Sequence, residues 1–201
     1  MLPLRDSQAP PTAPAVTYAL VASNTAVFLY QTALDPNASA TLIARFGVIP
    51  YYLTTDFHAS SLSTVITSQF LHGDLFHLAW NLWVLLVLGR KVEQTMGHAR
   101  YTVFYLLTGV CAAAAHVFVE PHARAPMIGA SGAISGLLGA SLQLVRDRWT
   151  MVLIVVWFAT QLALGLNSLG QALAAPIAFF AHIGGFVSGL LLAVHFARRG
   201  A

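Results

Sequence analysis

Charge is what this chain has least of. Only 8% of its 201 residues are Asp, Glu, Lys or Arg, against roughly 25% in soluble globular domains. Hydrophobic residues make up 57%. Such a chain cannot clothe itself in polar surface, so a water-soluble globule is excluded and lipid is its solvent. Cysteine is nearly absent as well. Cys111 stands alone in an apolar run, which excludes a disulfide framework. Blocks of one charge sign are also missing. The formal net charge of +3 comes from basic residues gathered at the ends of apolar segments, a pattern of topology signals and not of nucleic-acid binding. Eight histidines occur without a His-Glu-x-x-His signature, which speaks against a zinc protease; no metal or cofactor is expected. No inverted repeat or pair of broken helices suggests a transporter.

What is present is a series of apolar segments, at about 16–34, 75–89, 101–119, 130–145, 149–166 and 177–197. At about 20 residues per crossing, the chain has room for one membrane bundle and no second domain. Backbone groups in hydrocarbon must bond internally, so each segment reads as a helix. The expected architecture is an all-α membrane protein, a six-transmembrane-helix bundle over 16–201. It follows a proline-rich disordered cytoplasmic tail at 1–15 that lacks the features of a signal peptide. The connection at 35–74 is much the longest. It carries Pro36, Asn37, Pro50, Tyr51 and Tyr52, and an amphipathic stretch from Leu62 to Leu71 expected to lie at the interface.

The basic residues orient the bundle. With the N-terminus in the cytoplasm, Arg5, Arg90, Lys91, Arg100, Arg146, Arg148, Arg198 and Arg199 lie inside, and only Arg45 and Arg124 outside. Eight against two obeys the positive-inside rule, with both termini cytoplasmic and the long first loop extracytoplasmic.

This topology gives depth to the polar residues. The fourth segment enters from the outer side at Gly129-Ala130-Ser131-Gly132 and is too short to fill a ~30 Å hydrocarbon core. Ser131 therefore lies below the outer surface. The sixth segment also runs inward and puts His182 one to two turns down from the same face. Gly132 and Gly136 line one narrow side of the fourth segment, with Ser131, Ser135 and Gly139 on another. His182, Gly185 and Gly189 share one side of the sixth. Small residues let membrane helices approach closely, as a hydroxyl–imidazole hydrogen bond requires. Taken singly, such a serine usually bonds its own backbone and such glycines serve packing; at matched depth they suggest a nucleophile and its base. In the second segment His77 and Asn81 lie four apart on one face. They are either interhelical glue or, with the Ser131 amide, donors to an oxyanion. His72, at the loop edge, shapes the site. No carboxylate lies nearby on the fourth or sixth segment, so a Ser131–His182 dyad is favoured over a triad. His116 with Glu120 reads as a local polar pair, and Trp80, Trp83, Trp149 and Trp157 as packing or interface anchors.

Together, His72-x4-His77-x3-Asn81, Gly129-Ala130-Ser131-Gly132, Ala181-His182-Ile183-Gly184-Gly185 and Glu93-x3-Gly97 followed by Arg100 resemble the rhomboid family of intramembrane serine proteases, over about residues 46–195. The resemblance implies a six-helix serine endopeptidase with catalytic Ser131 and His182 and an oxyanion site of His77, Asn81 and the Ser131 amide. It implies transmembrane protein substrates that enter laterally by the fifth helix, and residence in a plasma membrane, in the minimal layout of bacterial members, with the site open to the outer side. Two features depart from well-studied members. Ser135 stands where a tyrosine packs beneath the histidine, and no tryptophan precedes Trp80, so a first-loop Trp-Arg pair is missing. The alternative is an inactive rhomboid-like protein that binds or escorts client membrane proteins; such relatives usually lose the serine or the histidine.

Overall fold

The computed structural model describes residues 13–144, 148–168 and 178–197. The expected tail through residue 12, and Arg5, Arg146, Arg198 and Arg199 of the charge count, lie outside the described residues. Among the described residues the chain is helical, without a strand; Val48 and Met127 form an isolated antiparallel bridge.

All six apolar segments fall on helices: α1 (Ala15–Ala33), α5 (Leu75–Val84), α7 (His98–Val119), α8 (Ser131–Leu144), α9 (Arg148–Ser168) and α10 (Phe179–Phe196). The first connection folds into α2 (Pro36–Phe46), α3 (Pro50–Thr54) and α4 (Ser61–Thr67), then a 3₁₀ turn at Ser68–Phe70. Proline opens both α2 and α3, where its missing N–H costs nothing. Asp35 caps α2 by accepting from the amides of Asn37 and Ala38, both at 3.0 Å. α5 runs past the expected end at 89, through a π-helical stretch at Leu85–Gly89 and α6 (Arg90–Met96).

Among the described residues, three helices are long and apolar enough to cross a bilayer: the continuous Leu75–Met96, His98–Val119 and Phe179–Phe196. They mark a membrane protein. Where the sequence suggests six crossings, length and composition support three among the described residues. α8 has 14 residues, about 21 Å at 1.5 Å per residue, and α1 is interrupted by polar side chains. Those side chains have a use. Thr17, Asn24 and Gln31 recur every seven residues on one face, and all three are buried. At the start of α1, the Glu93 carboxylate accepts from Val16 N at 2.9 Å, Thr17 N at 2.8 Å and Thr17 Oγ1 at 2.6 Å. That supplies in trans the cap that Pro14 cannot give. At its end, Gln31 and the His72 backbone exchange two hydrogen bonds of 3.0 and 3.1 Å.

α8 is the buried axis. Ala133, Ile134, Ser135, Gly136, Leu137, Gly139, Ala140 and Ser141 are all buried, because their side chains are mostly too small to hold neighbours away. α10 lies directly on it. A Cβ on Gly185 would collide with the carbonyl oxygen of Gly132, and one on Gly189 with that of Gly136. The two glycine rows read from the sequence therefore face each other. α9 docks on the outer side of α10 through Phe158 against Phe186, ring centroids 4.4 Å apart.

Candidate active site

The first connection, left without a role by the sequence, braces the segment that leads into α8. Val48 and Met127 exchange backbone hydrogen bonds of 3.0 and 2.7 Å, and Tyr51 N donates to Ala123 O at 3.0 Å. The Arg124 guanidinium lies 3.8 Å over the Tyr51 ring. Gly129 N donates to Ser68 O at 2.9 Å. Gly129 itself has φ +117°, and a Cβ there would stand 2.8 Å from the His77 ring. Only glycine satisfies both conditions. The chain thus turns hard past His77 and starts α8 at Ser131.

Ser131 is the first residue of α8 and His182 the fourth of α10, so both sit in first turns. His182 Nε2 is 2.8 Å from Ser131 Oγ. The two line a cavity of about 440 Å³ together with His77, Trp80, Gly129, Gly132, Ala133 and Ala181. As the first helical residue, Ser131 has an N–H without an intrahelical partner, at the positive end of the helix. A polarised hydroxyl, an adjacent imidazole and free helix-end amides in an apolar wall are the equipment of acyl transfer.

A model of the Rhomboid domain matches residues 59–199. The chain belongs to the rhomboid family. Among relatives, this rhomboid is 34% identical over 146 residues to RHOMBOID-like protein 7 of Arabidopsis thaliana, covering 67% of this chain and 43% of that protein. It is 31% identical over 159 residues to Inactive RHOMBOID-like protein 8 of the same plant, covering 75% and 42%. To Rhomboid protease GluP of Bacillus subtilis it is 29% identical over 181 residues, covering 90% and 34%. The chain thus spans less than half the length of these relatives.

The rhomboid's sequence-derived residues do not all stand alike. Ser131, His182 and His77 share the cavity. Asn81 is buried, and its Nδ2 donates to the His77 carbonyl at 2.9 Å, which leaves its second N–H for another acceptor. His72 is buried with its ring 5.1 Å from that of His77. Neither of its ring nitrogens has a hydrogen-bond partner among the described residues. Burial, reinforced by the neighbouring His77, lowers its pKa to about 4, so at neutral pH it is an uncharged ring packed behind His77, outside the cavity lining. Ser135 turns inward and donates to Ser131 O at 2.7 Å. Its Cβ would be 3.3 Å from one on Gly185, so the small residue lets α10 settle onto α8.

One residue escaped the sequence reading. Gln161 of α9 places Oε1 2.8 Å from His182 Nδ1, on the side of the imidazole away from the serine. Gln161 is neither acidic nor on the fourth or sixth segment, where the sequence offers no carboxylate near the site. The available signal was different: an amide inside the apolar fifth segment, four residues after Trp157, is costly in lipid unless it has a partner.

Proposed function

We propose that this rhomboid is an intramembrane serine endopeptidase that cleaves transmembrane segments of membrane proteins. The observation that carries the reading is the 2.8 Å contact between Ser131 Oγ and His182 Nε2 in the wall of a cavity. His182 Nε2 takes the hydroxyl proton as Oγ attacks the scissile carbonyl. The oxyanion receives the Ser131 amide, His77 and the second Asn81 N–H. His182 then returns the proton to the leaving amine as the C–N bond breaks. Water attacks the acyl-enzyme, losing its proton to His182, and the serine is regenerated. Substrate enters laterally beside α9. The chain crosses a bacterial plasma membrane six times, with both termini cytoplasmic and the cavity opening outward.

The test is fluorophosphonate labelling together with cleavage of a model transmembrane substrate. Parent protein should label and cleave, while Ser131→Ala and His182→Ala should do neither. The resemblance to a protein named as inactive makes client binding without hydrolysis the competing reading. Substrate capture without labelling or cleavage by the parent would establish that competitor.

A further inference from the structure

We propose that Gln161 is the positioning residue of the base: it accepts the Nδ1 proton of His182, so that Nε2 presents a lone pair to Ser131. The inference rests on the serine-protease reading and adds the group that sets the tautomer. A neutral imidazole carries one N–H and one lone pair. An amide oxygen offers only lone pairs, so the nitrogen 2.8 Å from Gln161 Oε1 bears the hydrogen. The other, 2.8 Å from Ser131 Oγ, is then the acceptor. This is the tautomer that general-base catalysis needs.

Geometry holds Gln161 in place. Trp157, one turn earlier on α9, sets its ring 6.1 Å from that of His182 and also 6.1 Å from that of Phe186, and Phe158 packs on Phe186. The same face of α9 thus seats on α10 and presents the amide. A carboxylate here would orient the ring as well, but an ionised group is expensive in a membrane. An amide orients without a charge. It also takes over the support that Ser135 is too short to provide.

Three proteins decide the matter: parent, Gln161→Leu and Gln161→Glu, each checked for thermal stability in detergent. For the parent, ¹⁵N NMR of labelled histidines should show His182 protonated on Nδ1, whether or not the protein is active. Gln161→Leu should lose that signature. It should also label with fluorophosphonate about 10-fold more slowly, the loss of one neutral hydrogen bond, with kcat reduced and KM unchanged. Gln161→Glu should recover the rate, and its acid limb should move to higher pH because a carboxylate favours the imidazolium. A parent protonated on Nε2, or a Gln161→Leu protein with the parent's labelling rate, pH profile and tautomer, overturns the proposal. Failure of the parent to label would defeat the protease reading and leave the tautomer measurement to judge Gln161.

Discussion

Gly185 of α10 lies so close to Gly132 of α8 that the Cβ it lacks would fall on the Gly132 carbonyl oxygen. His182 is three residues earlier on the same helix, about one turn nearer its N-terminal end. The crossing of two glycine rows therefore sets the distance between imidazole and hydroxyl. Gly185→Ala should push α10 outward and cost about 1–3 kcal/mol of stability. A displacement of roughly 1 Å should slow labelling of Ser131 by on the order of 100-fold. Thermal melts in detergent, with labelling rates on the folded protein, measure the two effects separately.

Gly129 is held by dihedral angle and by space at once, with φ +117° and the His77 ring against its missing Cβ. Gly129→Ala should cost about 1–3 kcal/mol through backbone strain. It should also displace His77 from the cavity wall. Turnover should fall further than stability does, and a side-by-side melt and cleavage assay would show the opposite order if the turn were only structural.

Glu93 accepts four hydrogen bonds, three from Val16 and Thr17 and one at 2.6 Å from His98 Nδ1 on the reading that this ring nitrogen carries a proton. Removing the carboxylate orphans the first amides of α1. Glu93→Ala should lose about 3 kcal/mol, with Glu93→Gln between it and the parent. Glu93 is 16 residues from His77 on a continuous helix, roughly 24 Å. Folded Glu93→Gln should therefore retain the parent's kcat, measured below its own melting temperature.

His72 links stability to pH. Burial holds it near 4 in the folded protein, against about 6.5 unfolded, so the unfolded chain binds the extra proton between those values. Stability should be full above about pH 6.5 and fall as pH drops toward 4, by on the order of 3 kcal/mol from this group. His72→Gln should flatten that part of the curve, as followed by melting temperature between pH 7 and 4.5. An unchanged slope would assign the acid sensitivity to other groups.

Much of the fold was legible because helices in lipid satisfy their own backbone. Each apolar run became a helix, with ends within a few residues of those expected, apart from α5, which continues through a π-helical stretch into α6 because nothing in Leu85–Gly89 stops it. The connection at 35–74 was less legible. α2 and α3 are short, and tertiary contacts fix them, such as the Val48–Met127 bridge. Gln161 was missed for a related reason. A lone polar residue on an apolar helix reveals a need for a partner but not which one.

The sequence by itself determined the solvent, the helices and the two glycine rows, since these follow from local composition and spacing along one chain. It also singled out Ser131 and His182 by depth. Only the tertiary structure decided that Gly132 meets Gly185, that Asn81 bonds back to His77, and that Gln161 meets His182. The first and third are pairings between helices and the second is a side-chain choice within α5; all depend on how each helix is rotated and how closely its neighbours approach, which no single segment encodes.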